Sequence, residues 1–371
     1  MAITIFLCGD VMTGRAIDQI LPHPVDPILH ESAVHDARTY VRLAEERTGP
    51  IGAPVAFDYI WGDARRIFKD VKPSVRLVPL ETSITTSGDY WKDKGIHYRM
   101  NPANVRCLMS MHVDCCVLAN NHVLDWGSAG LIETLRTLEG AGIATAGAGK
   151  NSEEAAKPVP LNVDAGGRLL VFAYGTPSSG VPPEWAAGPK RPGINLLPDL
   201  SEPAVRNVVA TVKRHACRGD VVIVSLHWGG NWGYAISREE VDFAHRLIDE
   251  AGAAIVHGHS SHHVKALEIY QGRLILYGCG DLLNDYEGIG GYERYRPDRV
   301  LMYFATVDAG TGELLVLRMA PMQIRHFRLN HASRDDSDWL RALLKRESRP
   351  RGVEVRLQED GMLAVQAMAA S

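Results

Sequence analysis

From Thr4 to about Val256, short runs rich in Val, Ile and Leu alternate with amphipathic stretches of helical length. That alternation is the mark of an α/β protein with a buried sheet. The apolar runs predict strands over Thr4–Cys8, Val75–Pro79, Cys115–Ala119, Leu169–Tyr174, Val221–Leu226 and Ala253–His257. Between them, 3.6-residue periodicity predicts helices over Phe57–Phe68, Pro102–Met111, Ser128–Ala141, Glu202–Arg214 and Glu239–Glu250. Beyond that point the runs shorten. Val264–Tyr270, Leu274–Tyr277, Val300–Val307 and Leu314–Met319 read as strands joined by turns such as Gln271-Gly272 and Ala309-Gly310, which predicts a second, more antiparallel sheet.

Three segments break the rhythm. Pro22–Pro54, with a polar helix expected over Val34–Arg47, interrupts a connection that is short in such folds and reads as an inserted cap. Thr176–Gly193 carries five prolines and no periodicity, as expected of a surface loop bordering a site. From Arg334 onward a short helix (Trp339–Arg346) and a hairpin (Val353–Leu357 with Met362–Val365) are expected as a packed appendage. The predicted organisation is therefore one domain over residues 1–333, with a cap near 22–54, and an appendage over 334–371.

Composition narrows the function. The 371 residues carry 40 Lys and Arg against 44 Asp and Glu, a net charge of −4, with no basic stripe to displace DNA counterions; nucleic acid is not expected as a partner. No apolar run approaches the roughly 20 residues of a spanning helix. The N-terminus enters a strand at once instead of showing a secretory leader, so the expectation is a cytoplasmic protein without a membrane partner. Six cysteines stand singly or adjacent in apolar runs, without a CxxC, and read as reduced core thiols.

The polar residues of interest follow the predicted strands directly, where open α/β sheets bind ligands. The clusters are Gly9-Asp10-Val11-Met12, Leu80-Glu81-Thr82, Asn120-Asn121-His122 with Asp125, His227-Trp228-Gly229, and His257-Gly258-His259-Ser260-Ser261-His262-His263. Singly, a Gly-Asp is an ordinary turn and a lone histidine an ordinary loop residue. Four histidines in seven residues after a strand weigh toward metal. Together, carboxylates, an amide and imidazoles on one edge suit one or two divalent Mn, Fe or Zn ions. Other chemistries lack their residues. Gly142–Asn151 fails the phosphate-loop pattern at Ala144 and Asn151, no GxGxxG follows the first strand, and no GxSxG elbow occurs.

The words Phe6-Leu-Cys-Gly-Asp-Val-Met12, Leu80-Glu-Thr82, Ala119-Asn-Asn-His-Val-Leu-Asp-Trp-Gly127, Gly147-Ala-Gly-Lys-Asn151 with Glu153-Glu-Ala155, Ser225-Leu-His-Trp-Gly229, Gly258-His-Ser-Ser-His262 and Tyr277-Gly-Cys-Gly-Asp281 occur in that order across most of residues 3 to 285. In them the chain resembles the bacterial capsule synthesis proteins of the poly-γ-glutamate type, the CapA family, a branch of the calcineurin-like metallophosphoesterases. The resemblance implies an αββα sandwich of two mixed sheets flanked by helices. It implies that Asp10 binds one ion, that Glu81 bridges, that Asn121, His227 and His259 serve the second ion, and that His262 returns to the first. His122 is implied as a general acid or as a donor to developing negative charge, with Asp125 orienting it or holding the turn.

Three departures stand out. Met12 replaces the imidazole of the usual Asp-x-His, the longer Glu81 replaces a bridging Asp, and Gly-His-x-x-His replaces Gly-His-x-His. For substrate contacts the candidates are Arg15, Trp228, Asn231, Asp281 and Arg296, with a salt bridge the rival reading for Arg15 and plain packing for Trp228. Two functions are expected to compete. One is a metal-dependent hydrolase acting on a small anionic phosphoester, amide or γ-glutamyl substrate. The other is a non-catalytic or transfer component of capsule polymer synthesis that binds anionic chains. The absence of an anchor favours the first, and an oligomer is compatible with either.

Overall fold

The computed structural model describes residues 1–163 and 167–367. Its strands gather into two principal sheets. The larger runs Val353–Leu357, Leu363–Ala367, Leu314–Arg325, Arg299–Asp308, Ala2–Leu7, Val75–Pro79, Cys115–Val117 and Ala144–Ala146, with Arg328–His331 paired to Leu314–Arg325. The smaller runs Leu267–Tyr270, Arg273–Leu276, Ala253–His259, Asp220–His227, Gly167–Gly175 and Val159–Val163. Each holds four neighbouring parallel strands, Ala2–Leu7 to Ala144–Ala146 in one and Arg273–Leu276 to Gly167–Gly175 in the other. Antiparallel strands flank them.

Period-2 alternation explains the layering. Along Asp220–His227, Val221 and Ile223 enter a core shared with Ile3, Ile5, Leu77 and Val117 of the larger sheet, so the two sheets face each other there. The intervening Val222, Val224 and Leu226 pack outward under Glu202–His215 and Arg238–Ala251. On the far side Phe6, Val78, Cys116 and Met302 pack under Ala16–Ile20, Arg38–Thr48, Ala64–Val71 and Gly127–Gly140. The result is the expected αββα sandwich of two mixed sheets. Local signals set the helix ends: Arg238–Ala251 begins at a Ser237/Glu240 capping box and stops at Gly252 in the left-handed region.

Several expectations change. The late strands build no sheet of their own. Leu267–Tyr270 and Arg273–Leu276 complete the smaller sheet, whereas Arg299–Asp308 pairs antiparallel with Ala2–Leu7 and carries Leu314–Arg325 into the larger one. Joined this way, the late strands cover edges of the two parallel blocks that would otherwise present unpaired backbone groups. The helix expected over Phe57–Phe68 is split into a turn at Tyr59–Trp61 and a helix at Ala64–Val71. Gly62 lies between them at φ 42°, where a Cβ would meet the Leu329 carbonyl oxygen at 2.1 Å. The stretch Pro102–Met111 likewise divides into Pro102–Val105 and Arg106–Met109.

The segment 22–54 folds as Arg38–Thr48 with long arms, and Leu29, Tyr40, Ala44 and Ile51 join the outer core beside Ile17 and Ile20. The described part of the C-terminal tail folds as a helix and a hairpin packed on the rest of the chain. Its helix Arg334–Ser348 sends Leu340, Leu343 and Leu344 into the core between the sheets, and its hairpin continues the larger sheet through Arg318↔Ala364 and Met319↔Leu363. Residues 368–371 of that expectation lie outside the described residues. Among the described residues no helix is long and apolar enough to cross a membrane.

Candidate metal centre

The inward positions of the strands turn polar at their carboxyl ends, all on one edge of the sandwich. After Ala2–Leu7 the chain is pressed so closely on the loop before Asp281 that a Cβ on Gly9 would sit 1.6 Å from the Gly280 carbonyl oxygen. That contact registers Asp10 against Asp281 in a short parallel pair. In the smaller sheet His227 and His259 are paired residues on adjacent strands. Asp10 Oδ1 lies 3.0 Å from His259 Nδ1 and 3.7 Å from His227, and the two Nδ1 atoms are 2.9 Å apart. The Ser260 N–H donates to the other Asp10 oxygen at 2.8 Å, from a residue held at φ 96°.

Asp10, His227 and His259 thus form one buried triad of donors within 4.8 Å of one another. Glu81, His262 and Asp281 form a second. His262 Nδ1 lies 2.9 Å from Asp281 Oδ1, and its Nε2 is approached by Asn231 Nδ2 at 3.1 Å and the Tyr286 hydroxyl at 3.2 Å. Asn284 donates to the other Asp281 oxygen at 2.7 Å. Among the described residues, buried Glu81 Oε2 has no hydrogen-bond partner.

Beside Glu81 stands His122, 3.7 Å from Glu81 Oε1 through Nε2 and 2.6 Å from Asp125 through Nδ1. Asp125 also accepts from Lys94 Nζ at 2.6 Å and from the Tyr98 N–H at 2.7 Å. Asn121 Oδ1 lies 2.9 Å from His227 Nε2. An amide oxygen only accepts, so that contact puts the His227 proton on Nε2 and turns Nδ1 toward Asp10.

The electrostatics separate the groups. Burial opposes ionisation of Asp10, but His259, His227 and the Ser260 N–H outweigh it and hold the carboxyl well below its usual range. Burial drives Glu81 well above its usual value, helped by Asp10 and Asp281. Burial likewise raises Asp281 and pushes His227 down. His262 goes the other way, because Asp281 and Asp10 overcome its burial. His122 is pushed down to about 4 by burial and by Lys94, against the pull of Asp125.

Not every candidate stands in this constellation. Asp10, Glu81, Asn121, His122, Asp125, His227, His259 and His262 are brought together, and Asp281, read as a substrate contact, joins the second triad. Asn121 faces an imidazole edge, and Asn231 touches His262. Arg15 is not presented to a ligand: its guanidinium is buried against both oxygens of Asp285 at 2.7 and 2.5 Å and against Glu31 at 3.1 Å. Trp228 is 2 % exposed, stacks on Tyr277 and donates to its carbonyl at 3.0 Å, so it packs and walls nothing. Arg296 pairs with Asp336 and lies over Trp339, tying its loop to the C-terminal helix.

Sequence reasoning passed over Lys94 and Tyr286. Lys94 sits in an aperiodic loop that carries no signal of its own. Tyr286 lies just beyond the short strand Asp281–Leu283 that carries the flagged Asp281.

The chain is similar to known proteins over most of its length. The family model described as "Bacterial capsule synthesis protein PGA_cap" matches residues 4–286. A probable polyglutamine synthesis accessory protein of Mycobacterium tuberculosis is 45 % identical over 364 residues, covering 98 % of this chain and 96 % of that protein. The PGA biosynthesis protein CapA of Bacillus subtilis is 29 % identical over 259 residues, 68 % of this chain and 64 % of that one. A solved structure described as a novel phosphatase, from Mycoplasma pneumoniae, aligns over 87 % of this chain and 94 % of that chain with a TM-score of 0.47 and 10 % identity.

Proposed function

Because the chain belongs to the bacterial capsule synthesis protein family PGA_cap, we propose that it is a metal-dependent hydrolase acting on a small anionic substrate through a phosphoester, amide or γ-glutamyl bond. The observation that carries this reading is the pair of adjoining buried triads, Asp10–His227–His259 and Glu81–His262–Asp281. The donor chemistry fits one or two divalent transition ions. Two ring nitrogens converge with a carboxylate oxygen in the first triad, and among the described residues buried Glu81 Oε2 has no proton donor to satisfy it.

When bound there, such ions supply Lewis acidity and lower the pKa of a coordinated water. The protein's own residues supply the rest. With Nδ1 directed to Asp125 and its ring neutral, His122 offers Nε2 to the reacting groups, taking a proton there and returning it to the departing atom. Asp125, fixed by Lys94 and the Tyr98 N–H, stabilises the imidazolium formed in between. The close packing of Asn231 and Tyr286 on His262 keeps that ring oriented and limits access of bulk water.

The test is turnover of phosphoesters, amides and γ-glutamyl compounds by the purified chain loaded with Mn, Fe or Zn. We expect one class to be hydrolysed, with activity lost in His122→Ala while metal is retained. Metal uptake with no turnover of any class, together with retention of poly-γ-glutamate, overturns the hydrolase. It favours a binding component of polymer synthesis, the reading supported by the name of the mycobacterial relative, an accessory protein.

A further inference from the structure

Beneath the first triad lies a polar layer that the reaction as proposed does not use. Ser225 and His257 are paired residues one pleat below His227 and His259, and both are fully buried. The Ser225 hydroxyl is 3.1 Å from His257 Nδ1 and 3.1 Å from His259 Nε2. On its other side His257 Nε2 is 2.7 Å from the Cys8 carbonyl oxygen.

The direction of every proton in this chain follows from its anchor. A carbonyl oxygen only accepts, so His257 carries a proton on Nε2. Among the described residues no carboxylate touches His257, and a buried imidazolium without a contacting counter-charge is costly, so the ring is neutral and its Nδ1 is a lone pair. The Ser225 hydroxyl must then donate to Nδ1. Its oxygen is left to accept, and the donor within reach is His259 Nε2–H.

We propose that Ser225 and His257, anchored on the Cys8 carbonyl, hold a proton on His259 Nε2, so that Nδ1, which shares its own proton with Asp10 in the cation-free protein, is the nitrogen that exchanges that proton for a cation. They are positioning residues: they touch the ring of His259 or each other, not the reacting atoms. Asn121 does the same for His227 from the opposite sheet, so both imidazoles of the triad turn Nδ1 inward. Polar partners behind a ligand of this kind fix ring orientation and raise ligand basicity, and their loss costs about 10- to 100-fold in metal affinity. The purpose assigned to the relay rests on the metal-centre reading, whereas the relay itself is a statement about protons in the cation-free protein.

The experiment is long-range nitrogen–proton NMR of histidine-labelled, cation-free full-length protein, followed by Mn²⁺ titration of wild type, Ser225→Ala and Ser225→Thr. His259 and His257 should both appear with the proton on Nε2. In Ser225→Ala that preference should be lost at His259, and Mn²⁺ affinity should fall about 10- to 100-fold, with Ser225→Thr restoring most of it. A wild-type His259 protonated on Nδ1 with a bare Nε2 overturns the proposal, as does a Ser225→Ala protein whose tautomer or affinity is unchanged. If Ser225→Ala fails to fold, the wild-type spectrum still decides the proton positions. Wild-type protein with the stated tautomers but no Mn²⁺ binding leaves the relay standing and removes the metal reading instead.

Discussion

The two donor triads share one sheet edge but are built on different principles. Asp10, His227 and His259 come from paired strand ends, and their orienting contacts are already made: Asn121 behind His227, Ser225 behind His259, Ser260 on Asp10. Glu81 and His262 come from loops, and Asp281 from the short strand paired with Asp10–Val11. Here one carboxylate oxygen has no partner among the described residues, and burial holds Glu81 and Asp281 above their usual values. In the first triad every ligand is therefore oriented from behind before any cation arrives, whereas in the second His262 and Asp281 hold each other and Glu81 is left as the buried acid that a cation would reconcile. Backbone pairing can fix a ligand's direction in advance, whereas loop-borne ligands depend on the ion for part of their order.

That contrast can be broken most sharply at His259. Replacing it with Ala should abolish cation binding at the first triad, an effect beyond the 10- to 100-fold range of residues that act from behind a ligand; calorimetric titration with Mn²⁺ checks it. A control on architecture comes next. Arg15→Met strands Asp285 and Glu31 as buried acids and should cost about 3–5 kcal/mol of unfolding free energy, measured by denaturant titration, while leaving the metal stoichiometry alone. Chelation should lower the thermal midpoint of the wild type reversibly, since a cation at 100 times its Kd contributes about 2.7 kcal/mol; His259→Ala should show a smaller drop.

The smallest effect is the most discriminating. Glu81→Gln removes a buried acid whose Oε2 has no partner among the described residues, so the cation-free protein should gain about 1 kcal/mol in stability while the loaded protein loses stability through weaker binding. Opposite signs in the two states, read from paired denaturation curves, distinguish a ligand carboxylate from a structural one. A loss in both states would assign Glu81 to the fold.

The strand-borne half of this site was legible before the structure. The apolar runs located His227 and His259 just after predicted strands and did the same for Asp10, Glu81 and the Asn121–Asp125 turn, while the resemblance to the CapA family supplied their ligand roles. What escaped depended on contacts far apart in sequence. Arg15 meets Asp285 across 270 positions, so nothing near Arg15 announced that its charge was already matched. Asp281 enters the second triad because its short strand pairs with Asp10–Val11, a pairing too brief to leave a periodic signal. The sorting of the late strands into the two existing sheets was hidden likewise, since alternation tells which face of a strand is buried and not which edge it joins. Lys94 reaches Asp125 from a loop whose composition is that of any exposed turn.

The central claim is that both triads hold divalent cations. Crystals of the full chain grown with Mn²⁺ and measured for anomalous scattering test it directly. The account predicts anomalous peaks within coordinating distance of Asp10, His227 and His259 and of Glu81, His262 and Asp281, the first vanishing in His259→Ala. Full occupancy of Mn²⁺ elsewhere, or no peak at either triad with the side chains ordered as described, would contradict it.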